Sequence, residues 1–271
     1  MRSWFITGVS SGLGSALATA AIAAGDRVGG TVRSEAAAER FAAAGGRPFM
    51  LDVTDADAVP GVIAAADEAL GGIEVLVNNA GYSLAGTIEE TTAADIRGQI
   101  EANFFGPLSI IKAALPFMRP RRRGHIINVS SIAGWMTPGG IGAYGASKMA
   151  LESLSDGLAA EIEPFGLHVT VVIPGAFRTD LGHSRRTGAR GLADYAAQNR
   201  ARDEFLQSFS TSQRGDPAKA AQAIIGAVRA VPPPRRLLLG PDAVQAMRTR
   251  LAALTAELDR WESVSTATDL A

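Results

Sequence analysis

From its first residues the chain alternates short β-branched runs with alanine-rich helical segments, and this order constrains the fold more than any other feature. SWFIT gives way to a helix from about Leu13, DRVGGTV to a helix through Phe41, and RPFMLDV to a helix from about Asp55 to Leu70. IEVLVNN then precedes a long helical segment, and HIINVSS and HVTVVIP bracket a helix from about Ala143 to Phe165. Strands joined through helices need crossover connections, so the expected fold is α/β: a doubly wound, Rossmann-like parallel sheet of about seven strands with helices on both faces. No linker interrupts the order, and residues 1–271 are read as a single domain.

Two stretches depart from the alternation. Residues 178–215 are polar and arginine-rich, with one amphipathic piece around Leu192 to Phe209; the expectation is a substrate lid, against the plainer reading of a surface excursion. Residues 241–271 follow a last strand near Leu237 as a helix and tail opened by Pro241, a residue favoured in the first helical turn. Val244, Met247, Leu251, Leu254, Leu258 and Trp261 form an apolar stripe there, expected to pack on the sheet or on a second subunit.

Composition narrows the functional classes. With 47% hydrophobic and 20% charged residues the chain can fill a soluble core, and a net charge of -1 speaks against a nucleic-acid partner. There is no cysteine, which removes disulfides and thiolate chemistry. His125, His168 and His183 show no metal-ligand spacing, so no metal is expected. Neither a signal peptide nor a long apolar run is visible, and the protein is expected to be cytoplasmic and off the membrane.

The first strand runs into TGVSSGLG, Thr7 to Gly14. Glycines at 8, 12 and 14, between a strand and a helix, allow a tight turn and a close backbone approach to a pyrophosphate at the helix N-terminus. The spacing resembles the TGxxxGxG of the short-chain dehydrogenase/reductase family. Further motifs fall in that family's order: Asp52 after the third strand, NNAG from Asn78 to Gly81, Asn103, NVSS ending at Ser131, YGASK from Tyr144 to Lys148, and PGAFRT from Pro174 to Thr179. The resemblance covers about Ser3 to Leu239.

It implies a cofactor pocket of Gly8, Ser10, Ser11, Gly12, Leu13 and Gly14 around the phosphates, with Asp52 and Val53 at the adenine. Asn79, Ala80 and Gly81 would lie on the ribose side, and Pro174, Gly175, Phe177 and Thr179 around the nicotinamide, which Tyr144 and Lys148 also face. Two plainer readings stay open: NNAG as a simple tight turn, and Asp52 as a helix cap.

Tyr144 and Lys148 stand four apart on a predicted helix and so share one face. A nearby ammonium favours phenolate, which brings tyrosine, ordinarily titrating near pH ~10, toward use as a general acid and base. The thirteen-residue step from Ser131 to Tyr144 matches the family spacing and selects Ser131 over Ser130. The resemblance adds Asn103 as fourth catalytic position. Together they imply hydride transfer between a nicotinamide and a ketone or secondary alcohol.

NAD-preferring members usually carry an acid at the end of the second strand, where this chain has Val32 followed by Arg33. Arg33 could hold a 2′-phosphate through paired charge-assisted hydrogen bonds, so NADP(H) is preferred and NAD(H) remains open. Gly29 and Gly30 within that strand suggest a close neighbour. Leu84, Trp135, Met136, Pro138 and Phe177 suggest an apolar pocket for a small carbonyl or alcohol substrate, or packing beneath the lid. Arg185, Arg186 and Arg190 could recruit an anion or remain solvated. A homo-oligomer, dimer or tetramer, is expected. Two rivals are a non-catalytic cofactor sensor on the same fold and a sugar-nucleotide epimerase or dehydratase.

One oddity remains. EANFFGPLSIIKAALPFM, Glu101 to Met118, reads as one buried helix, yet Gly106 and Pro107 lie near its middle, where proline costs roughly 3 kcal/mol. Proline at 107 cannot donate to the carbonyl of Asn103. In the resembling family a water on that carbonyl links the active-site lysine to solvent, so the defect is expected either to open a proton path or merely to steer the helix.

Overall fold

The computed structural model describes residues 1–177, 186–187, 191–212 and 215–269. The chain runs β1 (Ser3–Ile6), α1 (Gly12–Ala23), β2 (Arg27–Val32), α2 (Glu35–Ala43), β3 (Arg47–Met50), α3 (Val59–Leu70), β4 (Val75–Asn78) and β5 (Leu84–Ala85). It continues through α4 (Ala93–Ile100), α5 (Gly106–Arg121), β6 (Gly124–Val129), α6 (Gly142–Ile162) and β7 (Leu167–Pro174). The last elements are β8 (Arg186–Thr187), α7 (Ala196–Ser212), α8 (Pro217–Arg229), β9 (Arg236–Leu239) and α9 (Pro241–Thr266).

Seven strands form one parallel sheet in the order β3-β2-β1-β4-β6-β7-β9. The chain therefore winds outward twice, first from β1 to β3 and then from β4 to β9, and β1 and β4 are the neighbours at which the direction reverses. In a sheet of this kind the crevice at the carboxyl ends of those two strands binds ligands. A separate pairing of β5 with β8, not expected from the sequence, sets Leu84 beside Arg186.

Each face of the sheet carries its own core. Ile6, Val77, Val129 and Val172 pack under Leu17 and Ala21 of α1 and Ile224 and Val228 of α8. On the opposite face Phe5, Leu76, Ile126 and Val169 meet Ile63 of α3, Ile110 and Ala114 of α5, and Leu158 of α6. Helix ends follow ordinary capping chemistry: Ser34 caps α2 through Ala37 N–H, Thr92 caps α4, and Asp216 caps α8 with Pro217 in its first turn. Gly71, at φ 66, closes α3 in the left-handed region.

The two glycines of β2 have a packing reason. A side-chain carbon at Gly30 would meet Val9 Cγ1 at 2.4 Å, and one at Gly29 would meet Phe49 at 3.0 Å. Val9 belongs to the glycine loop, so Gly30 lets that loop lie directly on the second strand.

Four sequence expectations need correction. The third helix begins at Val59 rather than Asp55, because Asp55 instead accepts a hydrogen bond from Ala58 N–H in the preceding turn. Glu101–Met118 is not one uninterrupted α-helix: Glu101–Phe105 is a π-helical turn in which Gly106 N–H donates to Glu101 O, and α5 starts at Gly106 with Pro107 in its first turn. The widened turn absorbs the missing proline donor. The amphipathic piece forms α7 over Ala196–Ser212, slightly beyond the expected Leu192–Phe209. The apolar stripe of α9 does not pack on the sheet along its length, because of the helix only Ala243 and Met247 are buried. Among the described residues no helix is long and apolar enough to cross a membrane, and no cluster of His, Cys, Asp and Glu could hold a metal ion.

Candidate functional site

The reversal point between β1 and β4 is built by threonines that the sequence pattern did not single out. Thr7 Oγ1 accepts from Asn79 N–H and Ala80 N–H, each at 2.9 Å, which ties the NNAG turn to the end of β1. Asn79 Nδ2 donates back to Thr7 O at 2.9 Å and to Gly8 O at 3.2 Å. From β2, Thr31 Oγ1 accepts from Gly8 N–H at 2.9 Å. A signal was present: each threonine lies within or beside a strand and adjoins a glycine, Gly8 or Gly30.

The glycines act by geometry. Gly8 and Gly12 adopt φ of 72 and 60, a region costly for other residues. A Cβ on Gly14 would sit 2.3 Å from Gly8 O and 2.4 Å from Asn79 Nδ2. Ser11 stands at the N-cap of α1 without a side-chain hydrogen bond, and no acidic residue lies in the first turn. The first amides of α1, including those of Leu13 and Gly14, are thus left without a side-chain cap, as are the starts of α3, α5, α6 and α9, but only at α1 does a glycine loop precede them at the reversal point of the sheet. Uncapped amides at the positive end of a helix dipole suit a phosphate group.

At the rim of this crevice stand Arg33, just past β2, and Asp52, just past β3. Arg33 Nη1 lies 3.8 Å from Asp52 Oδ2, with both side chains well exposed. Asp52 Oδ1 also accepts from Thr54 N–H and its hydroxyl. Val53, the next residue, is buried, and its carbonyl would be 2.9 Å from a Cβ on Gly106. Gly106 therefore exists to let the Asp52–Val53 loop reach the π turn.

Asn103 sits in that π turn, fully buried. Its Nδ2 donates to Tyr82 O at 3.1 Å and to Ser147 Oγ at 3.0 Å, while its Oδ1 accepts from Tyr82 N–H at 3.2 Å. Ser147 in turn donates to Tyr144 O at 2.7 Å. The side chain thus joins the segment after NNAG to the helix that carries Tyr144 and Lys148. Gln99, also unforeseen, binds Leu84 N–H and Tyr82 O in the same way.

Tyr144 and Lys148, both buried, share one face of α6, and the ammonium lies 5.9 Å from the centre of the Tyr144 ring. Lys148 Nζ donates to Val129 O at 2.9 Å and lies 3.7 Å from where a Gly81 Cβ would stand. Burial pushes its pKa down from 10.5 to about 8, and Glu152 one turn on opposes that fall only in part. The site accordingly holds a cation that is costly to keep.

Glu152 completes the series 144, 148, 152 at four-residue spacing, a signal visible in the sequence but not read there. Its Oε1 accepts from Ser130 Oγ at 2.6 Å and its Oε2 from Trp135 Nε1 at 2.8 Å. Arg236 Nε lies 3.6 Å from Oε2, with its guanidinium 6.0 Å above the Trp135 ring. Ser130 is thereby committed to Glu152. Ser131 accepts from Ala133 N–H at 3.1 Å and keeps its hydroxyl proton to donate.

Trp135 packs with Ile132, Leu238 and Met247 between α9 and the sheet, and Phe177 packs on the α1 and α8 core. Leu84 is buried, while Met136 is exposed. Gly175 approaches Asp242, whose Oδ2 accepts from Ala176 N–H at 2.7 Å. Pro174 closes β7 beside Leu239. Thr179, Arg185 and Arg190 lie outside the described residues. Asn199 of α7 donates to both Glu90 oxygens at 3.0 Å, which ties the start of this helix to the segment after β5.

Comparison with known proteins agrees with this fold. The short chain dehydrogenase profile matches residues 3–190. A short-chain dehydrogenase from Streptomyces avermitilis superimposes with TM-score 0.92 at 42% identity, over 99% of this chain and all of that one. A short chain dehydrogenase/reductase from Burkholderia phymatum, solved in complex with NAD, gives TM-score 0.82 at 26% identity over 94% of this chain and 95% of its own. Oxidoreductase BOA17 of Botryotinia fuckeliana is 37% identical over 268 residues, 97% of this chain and 98% of that protein. The chain belongs to the short-chain dehydrogenase/reductase family of oxidoreductases.

Proposed function

We propose that the protein is an NADP(H)-dependent oxidoreductase that interconverts a ketone and a secondary alcohol, with Tyr144 as general acid and base. The observation that carries this reading is the buried Lys148 ammonium beside the Tyr144 ring, on a helix that Asn103 ties to the reversal point of the sheet. A lysine buried at a cost to its proton affinity, beside a tyrosine at the reversal point of the sheet, is the kind of group that functional sites retain.

The residues present fit a dinucleotide: uncapped amides open α1, and Gly8 and Gly12 turn the loop before it through positive φ so that its backbone faces that end. Bound there, the nicotinamide would supply or accept hydride. Ser10, Ser11, Gly12 and Leu13 would hold its phosphates, Val53 and Asp52 its adenine, and Ala80 and Gly81 its ribose. On the reductive side Ser131 donates to the substrate oxygen and orients it, and Tyr144 O–H delivers a proton to that oxygen as negative charge grows there. Lys148 stabilises the charge left on the tyrosine oxygen. Asn103 holds Tyr82 and, through Ser147, the first turns of α6 in register, and a water at its backbone carbonyl would return protons toward Lys148. Trp135, Met136 and Leu84 would bound the substrate, with residues 178–215 as a lid.

Arg33, exposed and weakly paired, is available to turn onto a 2′-phosphate. NAD(H) is the second reading, favoured by the NAD complex of the Burkholderia protein. The decisive experiment follows NADPH oxidation against a panel of aliphatic and aromatic ketones. Tyr144→Phe should fold and bind NADPH normally yet lose at least a thousandfold in kcat. Near-normal turnover in that variant would refute the assignment, and binding of NADPH without turnover of any ketone would favour the sensor reading.

A further inference from the structure

Glu152 is 1% exposed, and a carboxylate taken out of water is costly unless its partners offset the loss. Its hydrogen-bond partners are neutral: Ser130 Oγ donates to Oε1 at 2.6 Å and Trp135 Nε1 to Oε2 at 2.8 Å. Arg236 Nε stands 3.6 Å from Oε2, too far for a hydrogen bond, while Nη2 of the same guanidinium reaches Asp156, one turn further along α6. A glutamine could serve both neutral partners, its carbonyl accepting from Trp135 and its amide donating to Ser130. The full negative charge therefore exceeds what packing asks of this position.

What the charge faces is Lys148, one turn back on the same side of α6. The lysine donates to a neutral acceptor, Val129 O, and burial pushes its pKa down to about 8. Glu152 is the charge that opposes this fall. Around the pair stand Tyr144 and Asp156 on α6 and Arg236 on β9, so positive and negative groups alternate from Lys148 through Glu152 and Arg236 to Asp156.

The hydrogen bonds of Glu152 have a second effect. Ser130 and Trp135 bracket Ser131 and the turn Ile132–Gly134. Gly134 lies directly on α6: a Cβ there would stand 3.3 Å from Met149 N and 3.6 Å from Glu152 Oε1. One carboxylate thus holds both ends of the Ser131 segment to the helix that carries Tyr144 and Lys148. The offset between the hydroxyl that orients the substrate and the oxygen that moves the proton is then set by a single rigid element.

On the Tyr144–Lys148 chemistry given above, we propose that Glu152 is a positioning residue: it clamps the Ser131 segment onto α6 and supplies the negative charge that keeps Lys148 an ammonium.

The first test needs neither cofactor nor substrate. Lysine occurs only at Lys112, Lys148 and Lys219, so carbon-13 lysine labelling of the full chain resolves the Lys148 titration by NMR. Wild type should titrate near pH 8, and Glu152→Gln, which keeps both hydrogen bonds, about one unit lower. Glu161→Gln, at an exposed carboxylate of the same helix, is the control and should leave the midpoint in place. With NADPH and a ketone, the alkaline limb of kcat in Glu152→Gln should move down by the same amount, with KM for NADPH unchanged. Ser130→Ala cuts the clamp and leaves the charge: kcat should fall about tenfold or more at every pH while the Lys148 midpoint holds. An unmoved Lys148 midpoint in Glu152→Gln, or an unmoved kcat in Ser130→Ala, would overturn the proposal, and the second result decides it if Glu152→Gln does not fold. A wild type that reduces no ketone refutes the proposed function instead, and the Lys148 titration then decides the role of the Glu152 charge by itself.

Discussion

Replacing Lys148 with methionine should make the apoprotein more stable while destroying its activity. The lysine is buried, its pKa lowered from 10.5 to about 8 first by desolvation, with Glu152 compensating only in part. At about 1.4 kcal/mol per pH unit, burying the ammonium costs about 3 kcal/mol at neutral pH. Methionine removes that cost but also the hydrogen bond to Val129 O, worth about 1 kcal/mol, and leaves a net gain of about 2 kcal/mol.

The sign with pH follows from linkage. Below pH 8 the lysine is protonated in both folded and unfolded chains and the full penalty applies; between about 8 and 10.5 the folded chain binds fewer protons, so wild-type stability rises with pH. The advantage of Lys148→Met should therefore fall from about 2 kcal/mol at pH 7 to near zero by pH 10. Paired thermal melts without cofactor should show a Tm gain of roughly 4–8 °C at pH 7 that fades at alkaline pH. A variant that melts at or below wild type at pH 7, or whose gain does not depend on pH, would refute the reasoning.

Two further outcomes test the cofactor site. Arg33→Ala should raise KM for NADPH roughly ten- to a hundredfold and leave that for NADH within about twofold, a charge-assisted contact being worth about 1.5–3 kcal/mol; equal changes for the two would remove Arg33 from the phosphate site. Its melting temperature should hold, because the pair with Asp52 is exposed and 3.8 Å long. Gly14→Ala, whose new carbon would meet Gly8 O at 2.3 Å, should cost about 1–3 kcal/mol of stability and weaken NADPH binding more than tenfold by calorimetry. Gly61→Ala is the control, since nothing lies within 4 Å of its added carbon, and it should melt no lower than wild type.

Periodicity alone carried much of this architecture. The β1, β4, β6 and β7 runs are largely apolar or β-branched because both faces of a parallel sheet are covered, and their separation by helices leaves few arrangements open. Likewise the Tyr144–Lys148 pair was legible because four residues on a helix put two side chains on one face, a local property. What stayed hidden depends on residues distant in sequence. Thr7 and Thr31 hold Asn79 and Gly8 only once β1, β2 and β4 lie side by side. Glu152 has meaning only when Ser130, Trp135 and Arg236 converge on it. Gly106 and Pro107 looked like a flaw because a helix read in isolation has no reason to widen; the Val53 loop pressing on Gly106 supplies one. The stripe of α9 was plain in the sequence, but whether it met the sheet or pointed away was decided by where β9 ends and which way the last helix leaves it, a matter of tertiary direction that no hydrophobic period encodes.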